Sequence, residues 1–129
     1  MHKRFLIIGI CFAGLAVALG AYGAHELKKI ADAETVEVYK TAVQYQFYHA
    51  LALMVLAYLA VHIPAKQLRW AGRSFIAGIV LFSGSLYSIT LLKATNQIVP
   101  GYIGPVTPLG GLLFILGWGC LLYAVIKSK

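Results

Sequence analysis

Four runs of apolar residues, each 18 to 21 long and free of Asp, Glu, Lys and Arg, alternate with short polar segments; they cover residues 5–24, 43–63, 74–92 and 109–126. A bilayer core of about 30 Å takes around 20 helical residues at about 1.5 Å each, so every run is long enough to cross it. Inside hydrocarbon the backbone must satisfy its own hydrogen bonds, which a helix does within one segment. The pattern therefore predicts an all-α integral membrane bundle of four transmembrane helices. The runs take 78 of the 129 residues, which leaves too little for a soluble module and predicts a single transmembrane domain over residues 1–129.

The first run carries Gly9, Ala13, Ala16, Gly20 and Ala24 at spacings of three and four, one helical face of small residues. Such a stripe lets two backbones approach closely in lipid and is the expected packing seam. His2-Lys3-Arg4 resembles the start of a cleaved leader, but the 20 apolar residues that follow exceed a leader's usual 7 to about 15, so a retained helix is expected. Residues 25–42 are charged yet carry Leu27, Ile30, Ala31, Val38 and Ala42 at partly helical spacing. They predict an interfacial helix or an outward extension of helix two, with a solvated, charge-balanced connector as the plainer reading. The second loop begins after Pro64, and Lys66, Arg69, Trp70 and Arg73 mark it as an interface anchor. Pro100, Gly101, Gly104, Pro105 and Pro108 predict an irregular third loop, with Pro108 in the first turn of helix four.

Composition adds little to this, since 60% hydrophobic and 12% charged residues restate the runs. The distribution of charge adds an orientation. With the N-terminus inside, Lys3, Arg4, Lys66, Arg69, Arg73, Lys127 and Lys129 fall on the inner face. Lys28, Lys29, Lys40 and Lys93 fall outside, together with all four acids, Glu26, Asp32, Glu34 and Glu37. The positive-inside bias then predicts a multi-pass plasma-membrane protein with cytoplasmic N- and C-termini. The net charge of +7 sits at helix ends rather than on a basic patch interleaved with aromatics, so nucleic acid is not an expected partner. Cys11 and Cys120 lie within helices at similar depth and read as small apolar residues in preference to a disulfide.

Polar side chains inside the runs concentrate toward the outer face. Helix one ends at His25, helix two opens with Gln44, Gln46 and His49, helix three carries Ser83, Ser85, Tyr87, Ser88 and Thr90, and helix four starts beside Thr107. His25 and His49, ringed by Gln, Tyr and Ser, are candidates for a metal or haem iron, or for a polar head group or small solute. A metal site wants three or four ligands, and no membrane Cys, Asp or Glu stands nearby. Interhelical hydrogen bonding is the plainer reading of each residue. No nucleophile elbow, membrane acid pair or Gly-rich phosphate loop is present, which points away from an enzyme. Comparing helices one and two with three and four gives no inverted repeat.

Four ordered motifs carry a resemblance. They are Gly20-Ala21-Tyr22-Gly23-Ala24-His25; Thr41-Ala42-Val43-Gln44-Tyr45-Gln46 with His49-Ala50-Leu51-Ala52-Leu53; Gly78 with Leu81-Phe82-Ser83-Gly84-Ser85-Leu86-Tyr87; and Pro105-Val106-Thr107-Pro108-Leu109-Gly110-Gly111 with Gly117-Trp118. Together they resemble the small membrane proteins of the domain-of-unknown-function family four-twenty-three. The resemblance implies a four-helix integral membrane protein and implies no activity. Its motif residues coincide with the outer polar set. The first expectation is thus a non-enzymatic bundle binding a membrane lipid or small ligand through His25, Gln44, Gln46, His49, Ser83, Ser85, Tyr87 and Thr107. Haem or metal binding through His25 and His49, and a small oligomeric channel or transporter, are the alternatives. A homo-oligomer or another membrane protein are the partners left open.

Overall fold

A computed structural model describes residues 2–63 and 66–128. Pro64, the expected start of the second loop, and Lys129, one of the expected inner cations, lie outside the described residues. Among those described, four helices are long and apolar enough to cross a membrane: α1 His2–Ile30, α2 Ala33–His62, α3 Lys66–Ala94 and α4 Val106–Lys127.

Each helix is longer than the apolar run that marks it. Hydropathy reports the stretch that matches hydrocarbon, whereas helical hydrogen bonding continues into the polar layer as long as nothing interrupts it. The largest difference is in residues 25–42, where the structure has the outward helical extension in place of the plainer connector. These residues extend both α1 and α2, and only Ala31 and Asp32 separate them. Asp32 makes the turn tight: its backbone is extended, and its side chain accepts the Thr35 amide at 2.7 Å, capping the first turn of α2. Hydrogen bonding by the Thr35 side chain, and next by its amide, holds the Asp32 carboxyl below the usual carboxylate range. At about 1.5 Å per residue, α1 and α2 are each about 45 Å long, so they stand clear of a bilayer core at one end.

At the end of α3, Asn96 adopts a left-handed φ of 56°. Its amide donates to Lys93 O at 3.1 Å and the Gln97 amide to Leu92 O at 2.8 Å, the two reciprocal bonds of a Schellman cap with Asn in place of Gly. The Pro/Gly-rich loop follows, and α4 begins at Val106, so Pro108 lies in its first turn as expected.

Contacts along the helices fix an up-down-up-down order. Gly9 lies against Ala50 and Leu53, Phe12 meets Gln46, and Leu19 meets Tyr39, so α1 and α2 are antiparallel. The pairs Phe75–Gly117, Gly78–Phe114 and Ser85–Thr107 do the same for α3 and α4. Both termini therefore share one end of the bundle, and the α1–α2 turn and α3–α4 loop share the other, here called the distal end.

The half nearer the termini is filled by apolar side chains: Phe5, Leu53, Leu56, Leu68, Phe75, Ile79, Phe114 and Leu121 form one buried cluster with alanines 52, 57, 60, 71 and 124. The α3–α4 seam within it is a ladder of rings seated on glycines, Phe75 on Gly117, Phe114 on Gly78, and the Phe82 backbone on Gly110. In lipid, where apolar burial drives no association, such close fit is the main source of attraction. The α1 seam follows the small-residue stripe through Gly9 and Ala16 but shifts at its end. Gly23 is buried under the Tyr39 ring while Ala24 is exposed. A wider π turn over Gly23–Leu27 produces this shift, and a second one spans Ile79–Ser83 in α3. Cys11 is exposed, Cys120 packs against the apolar cluster, and both are free thiols.

Candidate functional site

Most of the intramembrane polar residues form separate hydrogen-bonded clasps that join one helix to another. Gln46, buried in α2, donates from Nε2 to Phe12 O of α1 at 2.9 Å and accepts the Tyr87 hydroxyl of α3 on Oε1 at 2.7 Å. One side chain thus ties three helices. Tyr39 adds a bond from α2 to α1, its hydroxyl donating to Leu19 O at 2.5 Å, and its ring meets that of Tyr87 edge-on at 5.4 Å. Ser83 donates to Ala42 O at 2.7 Å, joining α3 to α2. Ser85 and Thr107 share a hydroxyl–hydroxyl bond of 2.6 Å that joins α3 to α4. Ser85 also donates to Phe82 O at 2.9 Å, which leaves Thr107 as the donor within the pair. Thr90 is buried with its hydroxyl unpartnered among the described residues, and Ser88 donates within its own helix, to Gly84 O at 2.8 Å.

The fourth clasp joins α2 to α4 and has a different character. His49 Nδ1 lies 2.8 Å from Tyr45 O, a bond that requires the hydrogen on Nδ1. Its Nε2 then accepts the Trp118 indole N–H at 3.1 Å, so both bonds are satisfied by one neutral tautomer. The imidazole lies flat against Phe114, with centroids 3.5 Å apart and planes 8° from parallel. Phe75 and Trp118 meet its edges at 5.5 and 5.9 Å.

Two members of the expected outer set are elsewhere. His25 is exposed on the π turn of α1, and Gln44 is exposed on the α1-facing flank of α2, where it lines a cleft. Residues three apart on a helix, such as Gln46 and His49, share a face only loosely, and here they serve different neighbours: Gln46 reaches α1 and α3, and His49 reaches α4. Gln46, His49, Ser83, Ser85, Tyr87 and Thr107 are therefore brought into the bundle but not around one centre.

This donor set does not fit a metal or haem iron held by His25 and His49. Both ring nitrogens of His49 are engaged, so no lone pair is left for a cation, and His25 is on the surface. Among the described residues, no three His, Cys, Asp or Glu side chains converge.

The space that does open at His49 is a lateral groove of about 600 Å³ between α2 and α4, backed by α3. Tyr45, Phe82, Phe114 and Trp118 wall it, Gly111 gives it depth, and Leu112 and Ile115 form the α4 rim. Tyr45 packs on Phe82 at 4.7 Å and is partly exposed, as is Trp118. The groove is apolar apart from the Tyr45 hydroxyl and the polar atoms of His49 and Trp118, which face each other. Sequence reasoning missed Trp118, although a signal existed. Tryptophan in membrane helices usually sits at the interface, so one in mid-span, with an N–H to satisfy, calls for a buried acceptor.

The chain matches the family described as "Protein of unknown function (DUF423)" over residues 19–111, which includes every clasp residue on α2 and α3. It is 44% identical over 127 residues to the UPF0382 membrane protein YwdK of Bacillus subtilis, covering 97% of this chain and 98% of that one. The UPF0382 membrane protein SAB0533 of Staphylococcus aureus is 40% identical over 97% of each chain. A fission-yeast relative, UPF0382 membrane protein C1782.12c of Schizosaccharomyces pombe, is 38% identical over 84% of this chain and 89% of its own. No solved structure matches the chain. The protein is thus a multi-pass membrane protein with four transmembrane helices, and it belongs to the DUF423/UPF0382 membrane protein family, whose function is unknown.

Proposed function

We propose that the protein is a non-enzymatic binding protein of the plasma membrane that takes an apolar chain or ring from the bilayer into the α2–α4 groove. The observation that carries this reading is the lateral groove itself, an aromatic-walled opening at helix mid-depth whose volume lies within the roughly 300–1,000 Å³ typical of small-molecule sites. The polar atoms of His49 and Trp118 are already paired and no charged side chain lines the groove, which favours a ligand recognised by shape and ring contact over one bearing charge. The polar clasps support a non-catalytic role, because hydroxyls and amides engaged in holding helices are not presented to a substrate.

Trp118 supplies the readout. With Trp70 replaced by Phe, it is the remaining tryptophan of two. In detergent micelles, a brominated acyl chain should quench it saturably at about one equivalent, and Gly111→Leu, which fills the groove, should weaken binding about tenfold. Quenching that rises linearly without saturation, and equally in both proteins, would overturn the reading.

The orientation with cytoplasmic termini is part of the same proposal and rests on charge. The end bearing the termini holds Lys3, Arg4, Lys66, Arg69, Arg73 and Lys127 without an acid, and the distal end holds all four acids. A C-terminal reporter should be active inside the cell; activity only outside would reverse the assignment.

A further inference from the structure

The cleft between α1 and α2 carries a second ligand chemistry, distinct from the α2–α4 groove. At the distal end Gly20, Gly23, Ala24, Tyr39 and Val43 line an opening of about 190 Å³ whose mouth bears Lys28, Lys40 and Gln44. Deeper in the membrane a largely apolar trough of about 280 Å³ runs between Ala16 and Val17 on one side and Phe47 and Tyr48 on the other. Gly20, Val43 and Gln44 line both, so the two spaces form one channel on the bundle surface, basic at the top and apolar below.

We propose that this channel binds one anionic glycerophospholipid, with the headgroup phosphate between Lys28 and Lys40 and an acyl chain along the small-residue floor at Gly20. The argument is charge complementarity at the right depth. Both lysines lie just beyond the charge-free runs of α1 and α2, the level at which phosphates meet a membrane helix. Lys28 has no carboxylate partner among the described residues. Lys40 pairs with Glu37 at 2.6 Å in an exposed contact that water screens and that a doubly contacted phosphate can replace. Gln44, which no interhelical clasp uses, stands beside them with an amide free to donate. The small side chains at 16, 20 and 23 explain why a chain-wide trough exists here: the helices touch through them and leave the flank open.

The test is native mass spectrometry of the intact protein from mixed micelles containing equal phosphatidylglycerol and phosphatidylcholine. One phosphatidylglycerol should be retained in preference. Each of Lys28→Gln and Lys40→Gln should lower that preference about fivefold, and the pair about 30-fold, with phosphatidylcholine retention unchanged. Gly20→Leu, whose side chain meets only Val43 at 3.4 Å from Cβ, should reduce retention of both lipids by obstructing the trough. Circular dichroism and elution volume confirm that each variant is folded, and the lysine variants alone suffice if Gly20→Leu is not. Equal retention of the two lipids, a preference untouched by the double lysine variant, or equal stabilisation by inorganic phosphate alone would each overturn the assignment.

Discussion

Gly110→Ala is expected to pry α4 from α3 and cost about 3 kcal/mol, the upper range for forced overpacking. A Cβ at this position falls on main-chain atoms of Phe82, with its Cα at 2.8 Å, so no rotamer change relieves the clash. Gly78 and Gly117 also abut phenylalanine rings, but a ring can turn and a backbone cannot. The neighbouring Gly111→Ala is the control. Its Cβ meets Phe82 Cδ2 at 3.9 Å, ordinary contact, and Ala is the better helix former, so stability should hold or rise. Reversible denaturation in micelles, followed by circular dichroism, checks both. Equal stability of the two variants would show that α3 and α4 are not in backbone contact at this level.

Gln46→Leu should be the most damaging loss of a single polar side chain, at about 2 kcal/mol. Interhelical hydrogen bonds in membranes average only about 0.6 kcal/mol and reach about 1.7, so one bond alone predicts a small effect. Gln46 makes two, to different helices, and its removal strands the Tyr87 hydroxyl beside apolar neighbours, where an unpaired group costs about 1–3 kcal/mol. The Phe12 carbonyl suffers less, because as a helix carbonyl it keeps its own backbone partner. Removing the exposed Gln44 by the same substitution should leave stability within about 0.5 kcal/mol. The contrast distinguishes a side chain that holds helices together from one that merely sits at similar depth.

The helices and their alternation were legible in the sequence because lipid imposes a length and a polarity that can be read directly. Their ends were not. The charged residues 25–42 look like a connector when scored by hydropathy, yet helix formation needs only the absence of a breaker, and the decisive residue is Asp32, a lone cap among other acids. Hence Tyr39, in a stretch that hydropathy scores as polar, carries no sequence signal, although it is buried and ties α2 to α1. The sequence groups these polar residues by depth, but depth alone cannot say which way each points. That depends on helix rotation, set by the glycine–phenylalanine contacts and by the π turns, which carry no distinctive sequence pattern. His25 is the clearest instance: it follows the buried Gly23 by two residues, and the wide turn leaves it on the surface. The carbonyls of Phe12, Leu19 and Ala42, which accept three of the clasping bonds, have no side-chain signature at all.

A double-mutant cycle across Gln46 and Tyr87 tests most directly whether polar side chains hold this bundle pairwise. Gln46→Leu, Tyr87→Phe and the double variant are unfolded reversibly in the same micelles as the parent protein. Removal of the hydroxyl together with the amide should recover part of the single-variant loss, giving a coupling of about 0.6 kcal/mol or more. Strictly additive losses would contradict the account, because two groups bonded at 2.7 Å cannot be energetically independent.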